Sequence, residues 1–239
     1  MRSFLAPNPG PVTLTGTRSY VVGGAVAAVI DPGPAIDEHI AALAEAVRGA
    51  RDVVVLLTHA HGDHADGAGE LARLTGGEVW GPGGDRDPVD GQVFATSVGG
   101  LVAVWTPGHA RRHFCFHLPG EGAVFTGDLV LGEGDTTWVG EYPGGVRDYL
   151  DSLDRVEALG ARVLLPGHGD PLPDPAEAIG RFRAHRMARI EDVRRAIAKT
   201  GTADARTVAR GVYGALPPEI FDMAVSSVEA ILDYLSDAG

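Results

Sequence analysis

The chain has 239 residues, 44% of them hydrophobic, with a formal net charge of −12 and a single cysteine. That is enough apolar material for one large core, or for a core with a small appendage, and it excludes a disordered chain or a disulfide-stapled scaffold. The acidic balance argues against a general polyanion binder, and with neither a basic-then-apolar leader nor an apolar stretch of about 18 residues, a cytoplasmic protein off the membrane is expected.

In chain order, residues 1–16 hold many Pro, Gly and Thr and predict an irregular entry or an edge strand. Tyr20-Val21-Val22-Gly23-Gly24 and Ala25-Val26-Ala27-Ala28-Val29-Ile30 predict a hairpin turning at the glycines. Over residues 35–47, Ile36, Ile40, Leu43 and Val47 recur at helical spacing, with His39 expected on the solvated side. Val53-Val54-Val55-Leu56-Leu57 reads as a fully buried strand. It runs directly into Thr58-His59-Ala60-His61-Gly62-Asp63-His64. Positions i and i+2 of an extended chain point the same way, so His59 and His61 can reach one metal ion together. Gly62 permits a sharp turn, after which Asp63 and His64 can face a second ion. Glu70-Leu71-Ala72-Arg73-Leu74 then predicts a helix.

Three later pieces repeat this construction of aliphatic run, tight turn and one potential ligand. Leu101-Val102-Ala103-Val104-Trp105 leads to His109, Ala123-Val124-Phe125 to Asp128, and Arg162-Val163-Leu164-Leu165 to His168. Taken singly, such a histidine is more often a polar residue satisfied by backbone, Asp63 an N-cap and Asp128 a turn residue. Four repeats of strand, turn and ligand in one chain are not explained that way. Five imidazoles and two carboxylates suffice for two divalent ions that share a carboxylate and keep positions open to water.

Between these pieces, Glu78-Val79-Trp80 and Gln92-Val93-Phe94 predict strands separated by a loop over residues 81–91. In residues 111–118 side chains are expected to alternate between core and outside, with Cys115 a buried, inert thiol. The long, glycine-rich loop of residues 129–147 carries Trp138 and Tyr142, which either line a substrate site or anchor the loop. Residues 148–159 predict a helix with Leu150, Leu153, Val156 and Leu159 on one face. Past the stiff connector Pro171-Leu172-Pro173-Asp174-Pro175 the strand pattern stops. Helices are predicted over residues 176–199, 202–213 and 218–235, so the chain divides into 1–174 and a helical 175–239.

The stretch from Thr58 to His64 is similar to the His-x-His-x-Asp-His signature of the metallo-β-lactamase superfamily, and the three later turns recur in that family's order. The resemblance runs from about Tyr20 to Pro171 and implies a four-layer αββα sandwich. It implies that His59, His61 and His109 hold one ion, that Asp63, His64 and His168 hold the other, and that Asp128 bridges them. Asp31, in Val29-Ile30-Asp31-Pro32-Gly33, corresponds to an aspartate that supports the site without binding metal. The three terminal helices, with the His185-Arg186 pair, Val212-Tyr213-Gly214 and Leu216-Pro217, resemble a branch with a winged-helix-like tail. The tail's near balance of acids and bases favours packing, dimerisation or a lid over nucleic-acid binding. Arg18-Ser19-Tyr20 stands where relatives often carry Asn-Thr-Tyr, and Ala110 where Thr is common.

The implied activity is hydrolysis. Two ions, zinc before iron or manganese given imidazole and carboxylate ligands without cysteine, would make hydroxide available at neutral pH, with Asp63 orienting it and taking its proton. A small-molecule or acyl-carrier thioester or ester is the expected substrate, because an acidic surface repels RNA. A metal-dependent endoribonuclease acting on single-stranded RNA is the alternative. A monomer or homodimer is expected, with His113, His117 and His185 outside the ligand set.

Overall fold

Successive residues in Tyr20-Val21-Val22, Ala27-Ala28-Val29-Ile30 and Phe114-Cys115-Phe116 are all apolar. Because strand side chains alternate, such strands have two faces to bury and belong between two layers. The computed structural model, which describes residues 1–237, realises this. The first half contains β1 (Arg2–Leu5), β2 (Arg18–Gly23), β3 (Val26–Ile30), α1 (Asp37–Ala46), β4 (Asp52–Leu56), α2 (Gly62–Ala65), α3 (Ala68–Thr75) and β5 (Glu78–Trp80). The second holds β6 (Val93–Thr96), β7 (Gly99–Trp105), β8 (Phe114–Leu118), β9 (Ala123–Gly127), α4 (Gly145–Ala158) and β10 (Val163–Pro166). The tail is α5 (Pro175–Thr200), α6 (Ala205–Tyr213) and α7 (Pro218–Asp237).

Two mixed five-stranded sheets result, in the orders β1-β2-β3-β4-β5 and β10-β9-β8-β7-β6. Tyr20, Val22, Ile30 and Leu56 of the first meet Leu101, Phe114, Phe116 and Phe125 of the second in a core between the sheets. The alternate residues Val21, Val29 and Val55 face Ile40, Leu43 and Leu71 of α1 and α3. Val104, Cys115, Val124 and Leu164 face α4 and the tail helices. This is an αββα sandwich, and each sheet is covered on both sides. Among the described residues no strand follows β10 that would supply a wing, and no helix is long and apolar enough to cross a membrane.

Two expectations are corrected. His39 is not solvated: it is 5% exposed, and its Nε2 lies 2.9 Å from Ser19 Oγ, because α1 lays that face on the first sheet. Residues of β8 do not alternate between core and outside. Phe114 and Phe116 enter the core between the sheets while Cys115 enters the outer one, since β8 is the central strand of its sheet.

Strand direction decides where the site can be. β3 and β4 run parallel, so Asp31 and Thr58 leave the first sheet at the same edge. β7 and β9 are each antiparallel to β8 and therefore run the same way, and β10 is parallel to β9. The turns after all five strands open on one edge of the sandwich, where ligands of open α/β sheets collect.

Candidate metal centre

The seven predicted residues converge at that edge. His59 Nε2 lies 2.9 Å and His109 Nε2 3.1 Å from His61 Nδ1. A few ångströms away, His168 Nε2 is 3.1 Å from both His64 Nε2 and Asp63 Oδ2. Asp128 stands between the two groups: Oδ1 is 3.4 Å from His64 Nε2 and 3.5 Å from His168 Nε2, and Oδ2 is 3.8 Å from His109 Nε2. Ligand atoms of His59, His61 and His109 all lie within 4.8 Å of one another, as do those of Asp63, His64 and His168, and those of His59, His64 and Asp128. His113 is buried beside this cluster, its ring 5.3 Å from that of His59, but belongs to none of the three groups. His117 lies in β8, and His185 pairs with Asp135 at 3.1 Å.

Local sequence explains the close approach. The chain turns at Gly62 as expected, from extended His61 into the one-turn helix α2, without a positive φ. A Cβ on Gly62 would stand 2.6 Å from Asp66 Oδ2. Likewise a Cβ on Gly167 would stand 2.5 Å from His64 Cε1 and 3.0 Å from Asp128 Oδ1. Asp31 accepts a left-handed backbone, φ 46°, and is 2% exposed. From there its carboxylate accepts from Thr58 N and Thr58 Oγ1, both at 2.7 Å, and from His64 Nδ1 at 2.9 Å. It supports the cluster without joining it.

The protons show that these residues suit a metal. His64 gives its Nδ1–H to Asp31, His109 to the Trp138 carbonyl at 2.9 Å and His168 to the Gly16 carbonyl at 3.2 Å. The hydrogen of Thr58 Oγ1 is committed to Asp31, so at 3.0 Å that oxygen accepts from His59 Nδ1. Each neutral ring therefore turns a bare Nε2 lone pair inward, and lone pairs about 3 Å apart repel unless a cation lies among them. Burial holds His59 and His109 below the usual imidazole range, in the neutral form a ligand must have. Burial acts the same way on His64 and His168. There Asp128, with Asp31 and Asp63, outweighs it and raises both, His168 to about 9, so these rings take protons where no metal replaces them. Burial opposes ionisation of Asp128, yet His64 and His168 hold its carboxyl well below the usual range. Its buried Oδ1 has no hydrogen-bond partner.

A cleft of about 880 Å³ opens on His61, Asp63, His109 and Asp128. Its walls come from Pro11, Val12 and Leu14, from the loop after Asp128, and from α5, α7 and the α6–α7 turn. Trp138 lines it and also donates from Nε1 to the Met223 carbonyl at 3.2 Å, so it both lines and anchors. Tyr142 only anchors, donating to Asp148 Oδ2 at 2.8 Å. The carbonyls of Trp138 and Gly16 and the hydroxyl of Thr58 were not found from sequence. Backbone acceptors carry no residue-type signal, whereas Thr58, adjoining the motif, was in view.

An αββα sandwich with a histidine and aspartate cluster at its strand ends defines a metallohydrolase. The metallo-beta-lactamase superfamily pattern matches residues 12–83 and 75–168. The chain is 30% identical to a beta-lactamase-like protein 2 homolog of Caenorhabditis elegans, over 99% of this chain and 84% of that one. It is 34% identical to an atrochrysone carboxyl ACP thioesterase of Aspergillus fumigatus, over 91% of this chain and 75% of that one. Its fold matches a metallo-beta-lactamase family protein of Thermus thermophilus with a TM-score of 0.79 and 24% identity, over 99% of this chain and 94% of that one. A beta-lactamase domain protein of Burkholderia ambifaria superposes with a TM-score of 0.83 and 21% identity, over 100% of this chain and 86% of that one. The chain belongs to the metallo-beta-lactamase superfamily and is a metal-dependent hydrolase of that family.

Proposed function

We propose that this protein hydrolyses a small-molecule or acyl-carrier thioester or ester at a dinuclear centre. The observation that carries the reading is the cleft, whose wall away from the cluster is largely apolar, with Leu131, Trp138, Leu216, Ile220 and Met223. Such a wall suits an acyl chain; a phosphodiester backbone would gain little from it. Relatives named atrochrysone carboxyl ACP thioesterase, 34% and 33% identical, support an acyl carried as a thioester.

His59, His61 and His109 would hold one ion, Asp63, His64 and His168 the other, and Asp128 would span them. Zinc suits this donor set best, with iron or manganese as alternatives. Bound there, divalent ions supply a water of lowered pKa and polarise the carbonyl that is attacked. Asp63 lines the cleft, meets His168 and is 28% exposed at its side chain against 10% for Asp128, so it is the more open of the two carboxylates. Burial opposes ionisation of Asp63, but the hydrogen bond from His168 and the charge of His64 bring its carboxyl below the ordinary range. It is therefore ionised and able to orient the attacking water and accept its proton. Residues from 175 onward pack on the second sheet and supply part of the wall of the acyl site.

The test is a panel of acyl-pantetheine thioesters, aryl esters, lactones, β-lactams and a labelled single-stranded RNA, with zinc and with chelator. Chelator-sensitive thioester or ester turnover that is lost in His59→Ala is expected. RNA cleavage lost in His59→Ala, with no thioester or ester turnover, would make the ribonuclease reading the correct one.

A further inference from the structure

Three basic residues of α5 line the cleft: His185, Arg186 and Arg189. Two have a carboxylate partner, His185 in Asp135 at 3.1 Å and Arg189 in Asp192 at 2.9 Å, the latter shared with Arg195. Arg186 has none. It is 4% exposed and forms no ion pair among the described residues. Its Nη2 donates to the Thr137 carbonyl at 2.9 Å, its guanidinium lies 5.4 Å from the centre of the Tyr149 ring, and its buried Nε has no partner. One carbonyl and one aromatic face leave a full positive charge and most of five donors unused. An uncompensated buried cation is costly, and a planar guanidinium with free donors is the group best shaped to take a carboxylate.

The position of this cation says which part of a substrate meets it. Thr137, whose carbonyl accepts from Arg186, also places its hydroxyl 3.2 Å from His109 Nδ1. Arg186 is thus one residue removed from the cluster and lines the same cleft. A carrier's phosphate sits at the far end of the pantetheine arm and points outward when the thioester is at the metals. The acyl portion is what reaches inward. We infer that Arg186 is a subsite for a carboxylate on the acyl portion of the substrate, so that the cleft selects acidic acyl groups; this rests on the thioester and ester reading above.

The competing role for Arg186 is positional, pinning the Thr137 carbonyl and through it His109. Calorimetric titration of the zinc-loaded chain with glutarate and with pentanoate separates the two roles, because these acids share a carbon skeleton and differ by one carboxylate. The wild type is expected to bind glutarate about tenfold or more tightly than pentanoate, Arg186→Gln to bind them alike, and Arg186→Lys to fall between. Glutaryl and pentanoyl thioesters of pantetheine, with and without the terminal phosphate, should show the same preference in kcat/KM, chiefly through KM, and lose it in Arg186→Gln. Equal affinity of the wild type for the two acids overturns the inference and needs no folded variant. A loss in Arg186→Gln that falls equally on both acyl groups, or that follows the phosphate, also overturns it. If glutarate binds through Arg186 while no thioester or ester is hydrolysed, the subsite stands and the proposed activity falls.

Discussion

Asp31 Oδ2 lies 2.9 Å from His64 Nδ1, and the same oxygen accepts from Thr58 Oγ1 at 2.7 Å. One carboxylate thereby sets the tautomer of His64 and, through Thr58, that of His59, one ring from each half of the cluster. An asparagine tolerates the left-handed backbone and fills the same space, but it has one acceptor oxygen, so its NH2 would face either the Thr58 N–H or the Thr58 hydroxyl and His64 Nδ1–H. Asp31→Asn is expected to weaken metal affinity by about 10- to 100-fold. Competition against a chromogenic chelator measures this, and affinity within twofold of wild type would show that Asp31 does not orient the rings.

Asp128 and Asp63 should separate in their effects. Asp128 reaches both halves of the cluster, whereas Asp63 meets only His64 and His168. Asp128→Ala is expected to lose both metals. Asp63→Asn should retain at least one and lower kcat by about 100-fold or more, the scale of a lost general base. His117→Asn, outside the cluster, should leave metal content and turnover as they were. Elemental analysis with rate measurement checks all three, and wild-type turnover by Asp63→Asn would refute its role.

The convergence of the seven histidine and aspartate side chains was legible in the sequence because each follows a strand whose apolar run is itself visible. Four such turns meeting at one edge follow from strand direction, which β7, β8 and β9 set by pairing antiparallel in succession. Burial of His39 was not legible, since a helix stripe does not show how far its flank is covered once α1 meets Ser19. The cleft wall was hidden for a similar reason. Leu216, Ile220 and Met223 look like ordinary helical apolar residues until the tail docks over the metal edge. The His185-Arg186 pair stood out in sequence, but that Asp135 pairs with only the first of them is a tertiary fact.

Cys115 is fully buried, with its Sγ facing Thr106 and the Thr126 carbonyl. Burial pushes its thiol up to about 12, so at pH 8 the folded protein carries almost no thiolate. Ellman's reagent is expected to find no reactive thiol in the native protein and one per chain in guanidinium. Stoichiometric reaction within minutes under native conditions would place Cys115 at an accessible site.

The tail and the second sheet share a single core, and this bears on how the chain unfolds. Val104, Cys115 and Leu164 of the sheet pack in one cluster with Tyr149 of α4, Phe182 and Ile190 of α5, Val208 of α6 and Ile231 of α7. Removing residues 175–239 would uncover that face of the sheet, a contiguous apolar surface of the kind that drives aggregation. The truncated chain is therefore expected to be insoluble, although the seven residues of the histidine and aspartate cluster all precede residue 175. Phe182 is 1% exposed, and Phe182→Ala should cost about 3–5 kcal/mol, a cavity penalty felt by the whole unit. In scanning calorimetry the wild type should melt in one transition and the variant in one transition at lower temperature. Two separated transitions, with only the lower one moved by Phe182→Ala, would mean that the tail folds as a domain of its own and that its contact with the sheet is a docking interface.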